Sequence, residues 1–476
     1  MSEFKSRYKK LGENTMWMLV GNFATKLLSF FMVPLYTAYL TTSDYGTADL
    51  MTTTVSLLLP VLTVAASEGV LRFALNKKYD DRQVLSLSLI VSSIGLFILF
   101  CLSPLLIKHV AFKDFYSLFL IYYTFYNLLW IIQQYVKGIN DVKGYAVSGF
   151  LSTLGSVVSN IVFLTVFEIG IKGYLYAQII ACVFPIIFLL FKDKIYLRIA
   201  NPKQISKELT KNYLLYCLPL IPNQLSWWIN NSSDKYILNY YWGLAFTGIY
   251  SVAYKIPTIL NVVGGIFASS WQISSVDNFG SKESKQFYSI IYQKYFSIFA
   301  CVSTLIILFI KILAHVLFAK DFYNAWPYAA ILVLASLMQA MGQFYESIYI
   351  CALKPTSLLL TTIFAAILNT FFNFLLIPKY GAYGAAIATC IGYGAMLLIR
   401  IVDSKRIFEF NVKHSHISIT IVCLIAETFV ICSNVNKWII INILITVVIL
   451  FLNRAIFKDI IKTIKKVKDR VVLQKI

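Results

Sequence analysis

Two lysines, Lys26 and Lys255, fall inside stretches otherwise apolar enough to lie in a membrane. An ammonium at that depth either snorkels to the interface or faces an aqueous cavity, where it can draw in an anion. Arg72 is a third such cation, and Glu68 four residues before it predicts an intrahelical pair that already satisfies the guanidinium. Glu346 and Glu427 lie in equally apolar runs and can take up a proton or Na+. Glu346 continues a helical face with Gln339 and Gln343, whereas Glu427 has no polar stripe around it.

The densest polar pattern within an apolar span runs over 212–234. Asn212, Tyr216, Pro219, Asn223, Ser226, Asn230 and Ser233 recur there at alternating four- and three-residue steps, which places them on one helical face. Leu214, Leu218, Ile221 and Leu225 line the other side, so the segment reads as a wall between lipid and water. Trp227, Trp228, Asn230 and Asn231 offer flat rings and amides within two turns, and Asp234 closes the stretch. The tryptophan pair either contacts a ligand or belongs to an interfacial aromatic belt. Pro219 and Pro222 predict a kink and a hinge. On the first helix, Asn22 joins Lys26, Ser29 and Tyr36 on roughly one face.

The elements that must hold these residues are membrane spans. With 476 residues, a mean hydropathy of +0.72, 59% apolar residues and 13% charged, no soluble class fits. Fourteen apolar runs of near-bilayer length are expected, near 16–40, 50–75, 84–107, 115–136, 145–167, 173–191, 213–233, 244–273, 288–310, 327–351, 356–377, 384–402, 417–433 and 438–453. Lys and Arg concentrate in alternate connections such as 192–211 and in the tail 454–475, so the positive-inside rule places both termini in the cytoplasm. The net charge of +20 is explained by these segments and by anionic headgroups, with no nucleic acid implied. The N-terminal span lacks a small-residue cleavage signal and is expected to remain as the insertion signal.

A repeat relates the two halves. Lys143 and Lys354, Gly170 and Gly381, and Gly173 and Gly384 share an offset of 211, and Gly46 and Gly248 begin the second helix of each half with an offset of 202. Six spans return the chain to its starting side, so the expected lobes are parallel repeats about an axis along the membrane normal. The resulting expectation is an all-α membrane protein of about fourteen transmembrane helices, with two parallel-repeat six-helix lobes around a central cavity plus two C-terminal helices. The lobes are 1–191 and 213–402, joined by a basic cytoplasmic linker, 192–212; 403–476 holds the last two spans and the tail.

No GxxxxGKS loop, HExxH helix or GxSxG elbow is present, and all eight cysteines sit in apolar segments without metal-type spacing. No cofactor, metal site or catalytic group is expected, and the outward loops lack room for a catalytic domain. The segments PLYTAYLTTSDYGTADL, EGVLRFAL, LPLIPNQLSWWINNSSDKYIL, GIYSVAYKIPTIL and AKDFYNAWPY resemble the polysaccharide flippases of bacterial O-antigen and capsule export, in the multidrug/oligosaccharidyl-lipid/polysaccharide exporter superfamily.

The resemblance implies a carrier that moves undecaprenyl-pyrophosphate-linked oligosaccharides from the inner to the outer leaflet of the bacterial cytoplasmic membrane by alternating access. Membrane lipids surround it, and a glycan polymerase and other envelope-assembly proteins are its expected partners. On this reading Lys26, Lys255 and Arg72 meet the pyrophosphate, while Asn22, Asn223, Trp227, Trp228, Asn230, Asn231 and Asp234 line the cavity or the sugar site. Glu346 or Glu427 couples an ion gradient. Relatives often read Asp-Arg where this chain has Asp234-Lys235, and lysine loses the bidentate fork. The alternatives are a multidrug or cation antiporter of the same superfamily and a membrane glycan polymerase or ligase.

Overall fold

The computed structural model describes residues 25–76, 78–279, 283–412, 414–433 and 436–456, and every regular element among them is helical. They form two compact units. The first holds the described residues up to Val252 together with Leu317–Phe322, and the second holds Ala253–Val316 and those from Tyr323 onward. The first unit contains α1 (Val33–Tyr39), α2 (Thr42–Leu62), α3 (Ala66–Leu75), α4 (Asp81–Leu106), α5 (Tyr116–Gly138), α6 (Val142–Ile161), α7 (Gly170–Lys192), α8 (Lys207–Cys217) and α9 (Leu220–Ala253). The second contains α10 (Thr258–Asn278), α11 (Ser284–Leu308), α12 (Ile310–Leu317), α13 (Trp326–Cys351), α14 (Pro355–Ser404), α15 (His414–Cys432) and α16 (Trp438–Leu452).

Among the described residues eight helices are long and apolar enough to cross a membrane, or nine if the bent pair α2 and α3 counts as one span. The chain is an all-α, multi-pass membrane protein. Two helices that look continuous are hairpins. In α14 the backbone leaves helical geometry at Gly381, and a Cβ on Gly392 would lie 2.9 Å from that of Asn369. Those two positions would be over 30 Å apart on a straight helix, at about 1.5 Å per residue. In α9 the break is Gly243, and Tyr250 beyond it reaches back to Asp234. The bend of 56° between α2 and α3 is made by Val64 and Ala65, both left-handed (φ 52° and 50°).

The start of α2 is fixed locally. Thr41 accepts from the Asp44 amide at 3.1 Å, and the Asp44 carboxylate accepts from the Thr41 amide at 3.2 Å, a reciprocal capping box. In the proline-rich stretch after residue 212 the helix is interrupted between Cys217 and Leu220, at Pro219. Pro222 sits in the first turn of α9, where its missing donor leaves no gap.

The units divide at 252/253, whereas sequence alone starts the second lobe at 213. Packing explains why 207–252 lies with the first unit. Tyr213 is fully buried, donates to the Ala66 carbonyl at 2.8 Å and shares a hydrogen bond with Ser88 at 2.7 Å. The basic connection 192–212 is held to the same unit by the Arg198–Asp81 ion pair at 3.2 Å and by the Ala200 amide donating to Ser86 at 2.7 Å.

The 211-residue offset reappears in the backbone: Gly170 and Gly381 have φ of 55° and 54°. The 202-residue offset reappears as a contact. A Cβ on Gly46 would stand 2.2 Å from the Leu244 carbonyl oxygen, and one on Gly248 would stand 1.9 Å from that of Thr42. Residues 42 and 46 thus meet 244 and 248 reciprocally, the signature of a two-fold contact. Gly248→Ala forces two backbones apart and should cost about 1–3 kcal/mol. A lowered unfolding temperature in detergent checks it, and an unchanged one would refute the close crossing.

Candidate functional site

The crossing of α2 with the second arm of α9 assembles a charged network in the first unit. Asp49, one turn after Gly46, accepts from Lys235 Nζ at 2.7 Å and from Ser251 Oγ at 2.8 Å, both at Oδ2. Lys235 and Asp49 expose 12% and 17% of their side chains, so the pair is largely withdrawn from its surroundings. Asp234 is buried and accepts from Tyr250 OH at 2.6 Å. Tyr236 adds a hydrogen bond with Thr54, and Trp228 packs on Tyr236 (centroids 5.5 Å apart) while its Nε1 donates to the Thr53 carbonyl at 3.0 Å. Two carboxylates, one ammonium and a phenol therefore meet where the repeat-related helices touch. In low dielectric such groups hold one another in place.

The sequence-derived candidates divide around this network. Asp234 and Trp228 belong to it, so Trp228 is committed to α2 while Trp227 stays half-exposed. Asn230 is buried, with its amide donating to the Ser226 carbonyl at 3.0 Å; Asn231 is exposed and donates to the Trp227 carbonyl at 2.7 Å; Asn223 is half-buried. Lys26 is exposed in the helical residues 25–31 that precede α1, and Asn22 lies outside the described residues. Arg72 is exposed at the end of α3. Among the described residues it forms no ion pair with Glu68, which corrects the expected intrahelical pair. Lys255 belongs to the second unit, half-buried in the turn 254–257 that precedes α10.

In the second unit Glu346 meets a group that sequence reading does not single out. Arg400 is wholly buried, lies 3.5 Å from the Glu346 carboxylate, and donates to the Gly342 carbonyl at 2.9 Å and to Thr361 and Thr362 at 3.2 and 3.1 Å. Glu346 keeps 28% of its side chain exposed, so the pair has one sealed and one accessible member. Glu427 is also fully buried, and its two oxygens accept from Thr304 of α11 at 2.7 Å and Thr446 of α16 at 2.9 Å. The polar company absent from its own helix comes from two others.

Sequence reading also misses Asp49, Tyr250 and Arg400. Asp49 lies in TTSDYGTAD, which reads as a loop but opens α2. Arg400, in AMLLIRIVD, lies at the end of the expected span 384–402, where hydropathy does not separate a loop cation from a buried one. The 202-residue offset would have pointed to Asp49, since it takes 49 to 251, beside Tyr250. Among the described residues no cluster of three potential metal ligands occurs, and the cysteines are free.

Comparison with known proteins gives a family and a fold. Residues 11–271 match the family described as polysaccharide biosynthesis protein. A comparison with curated protein sequences gives no match. Among solved structures the chain resembles the lipid II flippase MurJ in an inward closed conformation, with a TM-score of 0.69 and 15% identity over 93% of this chain and 99% of that one. It also resembles an inward-facing multidrug resistance MATE family transporter of the MOP superfamily, with a TM-score of 0.68 and 16% identity over 80% and 94%. A further match is a MOP superfamily transporter from Pyrococcus furiosus, with a TM-score of 0.61 and 16% identity over 84% and 95%. At such identities the likeness is one of fold.

Proposed function

The chain belongs to the polysaccharide biosynthesis protein family, and from that premise we propose that it is a flippase for undecaprenyl-pyrophosphate-linked oligosaccharides. It moves them from the inner to the outer leaflet of the bacterial cytoplasmic membrane by alternating access, with both termini cytoplasmic and without enzymatic chemistry of its own. The family match over 11–271 carries this reading, because that region contains the whole Asp49–Lys235 network and the first-helix lysine. The resemblance to a lipid II flippase over 93% of the chain supports it.

A lipid-linked pyrophosphate must carry its charge through a low-dielectric layer, and accessible ammonium groups reduce that penalty. Lys26 and Lys255 are the lysines assigned to this task, since Lys235 is already engaged by Asp49. Exposed Arg72 is the supporting cation. Glu346, half-exposed beside Arg400, or Glu427, sealed between threonines, takes the coupling ion. A glycan polymerase and other envelope-assembly proteins receive the product.

Deleting the gene should cause one lipid-linked oligosaccharide to accumulate on the cytoplasmic side, and lipid analysis would identify it. Restoring the wild-type chain should clear it. Lys26→Ala or Lys255→Ala, inserted at normal levels, should abolish surface polysaccharide; normal polysaccharide in both variants would sink the assignment. A second reading is a multidrug or cation antiporter of the same superfamily, favoured by the excess of carboxylates over ammonium in the first-unit network. Drug efflux from vesicles with no lipid-linked sugar defect would establish it.

A further inference from the structure

The first unit contains a cavity of about 230 Å³ that none of the groups discussed above uses. Its walls come mainly from α5 and α6, with Tyr126, Trp130 and Gln133 from one and Tyr145, Gly149 and Ser152 from the other, and Thr25, next to Lys26, completes the lining. Tyr126 and Trp130 lie nearly parallel, 10° apart and stacked with ring centroids at 6.2 Å. Gln133 is buried, and its amide donates to Ser148 at 3.0 Å, so its head is held in a fixed orientation.

The two faces of α6 differ. Phe150, Leu154, Val158 and Ile161 are exposed and follow helical spacing, the pattern of a lipid-facing stripe. Gly149, Ser152 and Thr153 line the cavity from the opposite side of the helix. The Thr153 hydroxyl donates to the Gly149 carbonyl at 3.1 Å, and the Ser152 hydroxyl is part of the cavity lining. The small residues of α6 are here the floor of a hollow.

We infer that this cavity is a subsite for a single sugar ring of the carried glycan. The inference rests on the flippase reading and adds a location and a ligand class to it. A pyranose has apolar C–H faces that lie flat on aromatic rings and a rim of hydroxyls that needs donors and acceptors, and a lining that combines the Tyr126 and Trp130 rings with the Gln133 amide and hydroxyls supplies both. The volume falls below the roughly 300 Å³ at which sites for drug-sized ligands begin, so it suits one ring and not an oligosaccharide.

Gly149 allows a clean test, because a Cβ built there meets nothing within 4 Å. Gly149→Met projects into the cavity from a Cβ placed in open space, and it exchanges a poor helix former for a good one. In the deletion strain, Gly149→Met and Trp130→Ala should reach the membrane at wild-type level yet leave the lipid-linked oligosaccharide on the cytoplasmic side, while Trp130→Phe restores export. Free hexoses and N-acetylhexosamines, titrated against protein in nanodiscs by saturation-transfer NMR, should give a signal that Gly149→Met abolishes. Trp130→Ala should weaken it about tenfold, equivalent to roughly 1.4 kcal/mol. Full export by Gly149→Met, or a sugar signal it leaves intact, overturns the subsite. Lipid retained by the wild type but not by Gly149→Met also overturns it. If the wild-type chain itself fails to clear the lipid-linked glycan, the flippase reading falls, and the sugar titration still judges the cavity separately.

Discussion

Arg400→Met should destabilise the second unit by about 3–5 kcal/mol, the range for removing one member of a buried ion pair. The change is severe because it leaves four acceptors behind. The Gly342 carbonyl, the Thr361 and Thr362 hydroxyls and the Glu346 carboxylate all turn toward a guanidinium that has no exposed surface. Methionine fills much of the volume but supplies no donor. Adding Glu346→Gln removes the uncompensated charge, so the double variant should be more stable than Arg400→Met alone. The measurement is thermal unfolding in detergent for both single variants and the double. An Arg400→Met protein that melts with the wild type would show that the pair contributes nothing.

Asp49→Ala should cost a similar 3–5 kcal/mol in the first unit. It takes away the carboxylate oxygen that accepts from both Lys235 and Ser251, and an ammonium with little exposed surface loses the carboxylate 2.7 Å from it. Asp49→Asn keeps the shape and one acceptor, so its loss should be smaller, and Lys235→Met combined with Asp49→Ala should recover part of the stability. Unfolding by heat or denaturant separates these cases. Equal melting of Asp49→Ala and Asp49→Asn would mean that the charge does not matter there.

The helical membrane fold is legible in the sequence because hydrocarbon imposes one rule: apolar runs long enough to span, with backbone bonds closed inside each segment. The hairpin corners at Gly243 and Gly381 and the interruption at Pro219 likewise announce themselves through residues with special backbone behaviour. The bend between α2 and α3 does not, since Val64 and Ala65 take left-handed geometry inside an apolar run and only Pro60 lies near. The sites were harder for a different reason. Glu427 looks isolated along its own helix, and only the folding of α11 and α16 around it brings Thr304 and Thr446 to its oxygens. Arg400 and Asp49 sit at the ends of spans, where an error of a few residues decides between water and protein interior.

The contact of α2 with the second arm of α9 also bears on ancestry. If two identical chains met there, a residue on the axis would face its own copy, and an aspartate at 49 would oppose a second aspartate at 251. Two like charges at that separation repel. Joined in one polypeptide, the two positions have diverged: one carries the acid, the other the hydroxyl that donates to it, 202 residues on. The glycines beside them have not diverged, because either one gaining a side chain would wedge both backbones apart. A symmetric frame thus holds an unsymmetric charge, which a dimer of identical halves could not have.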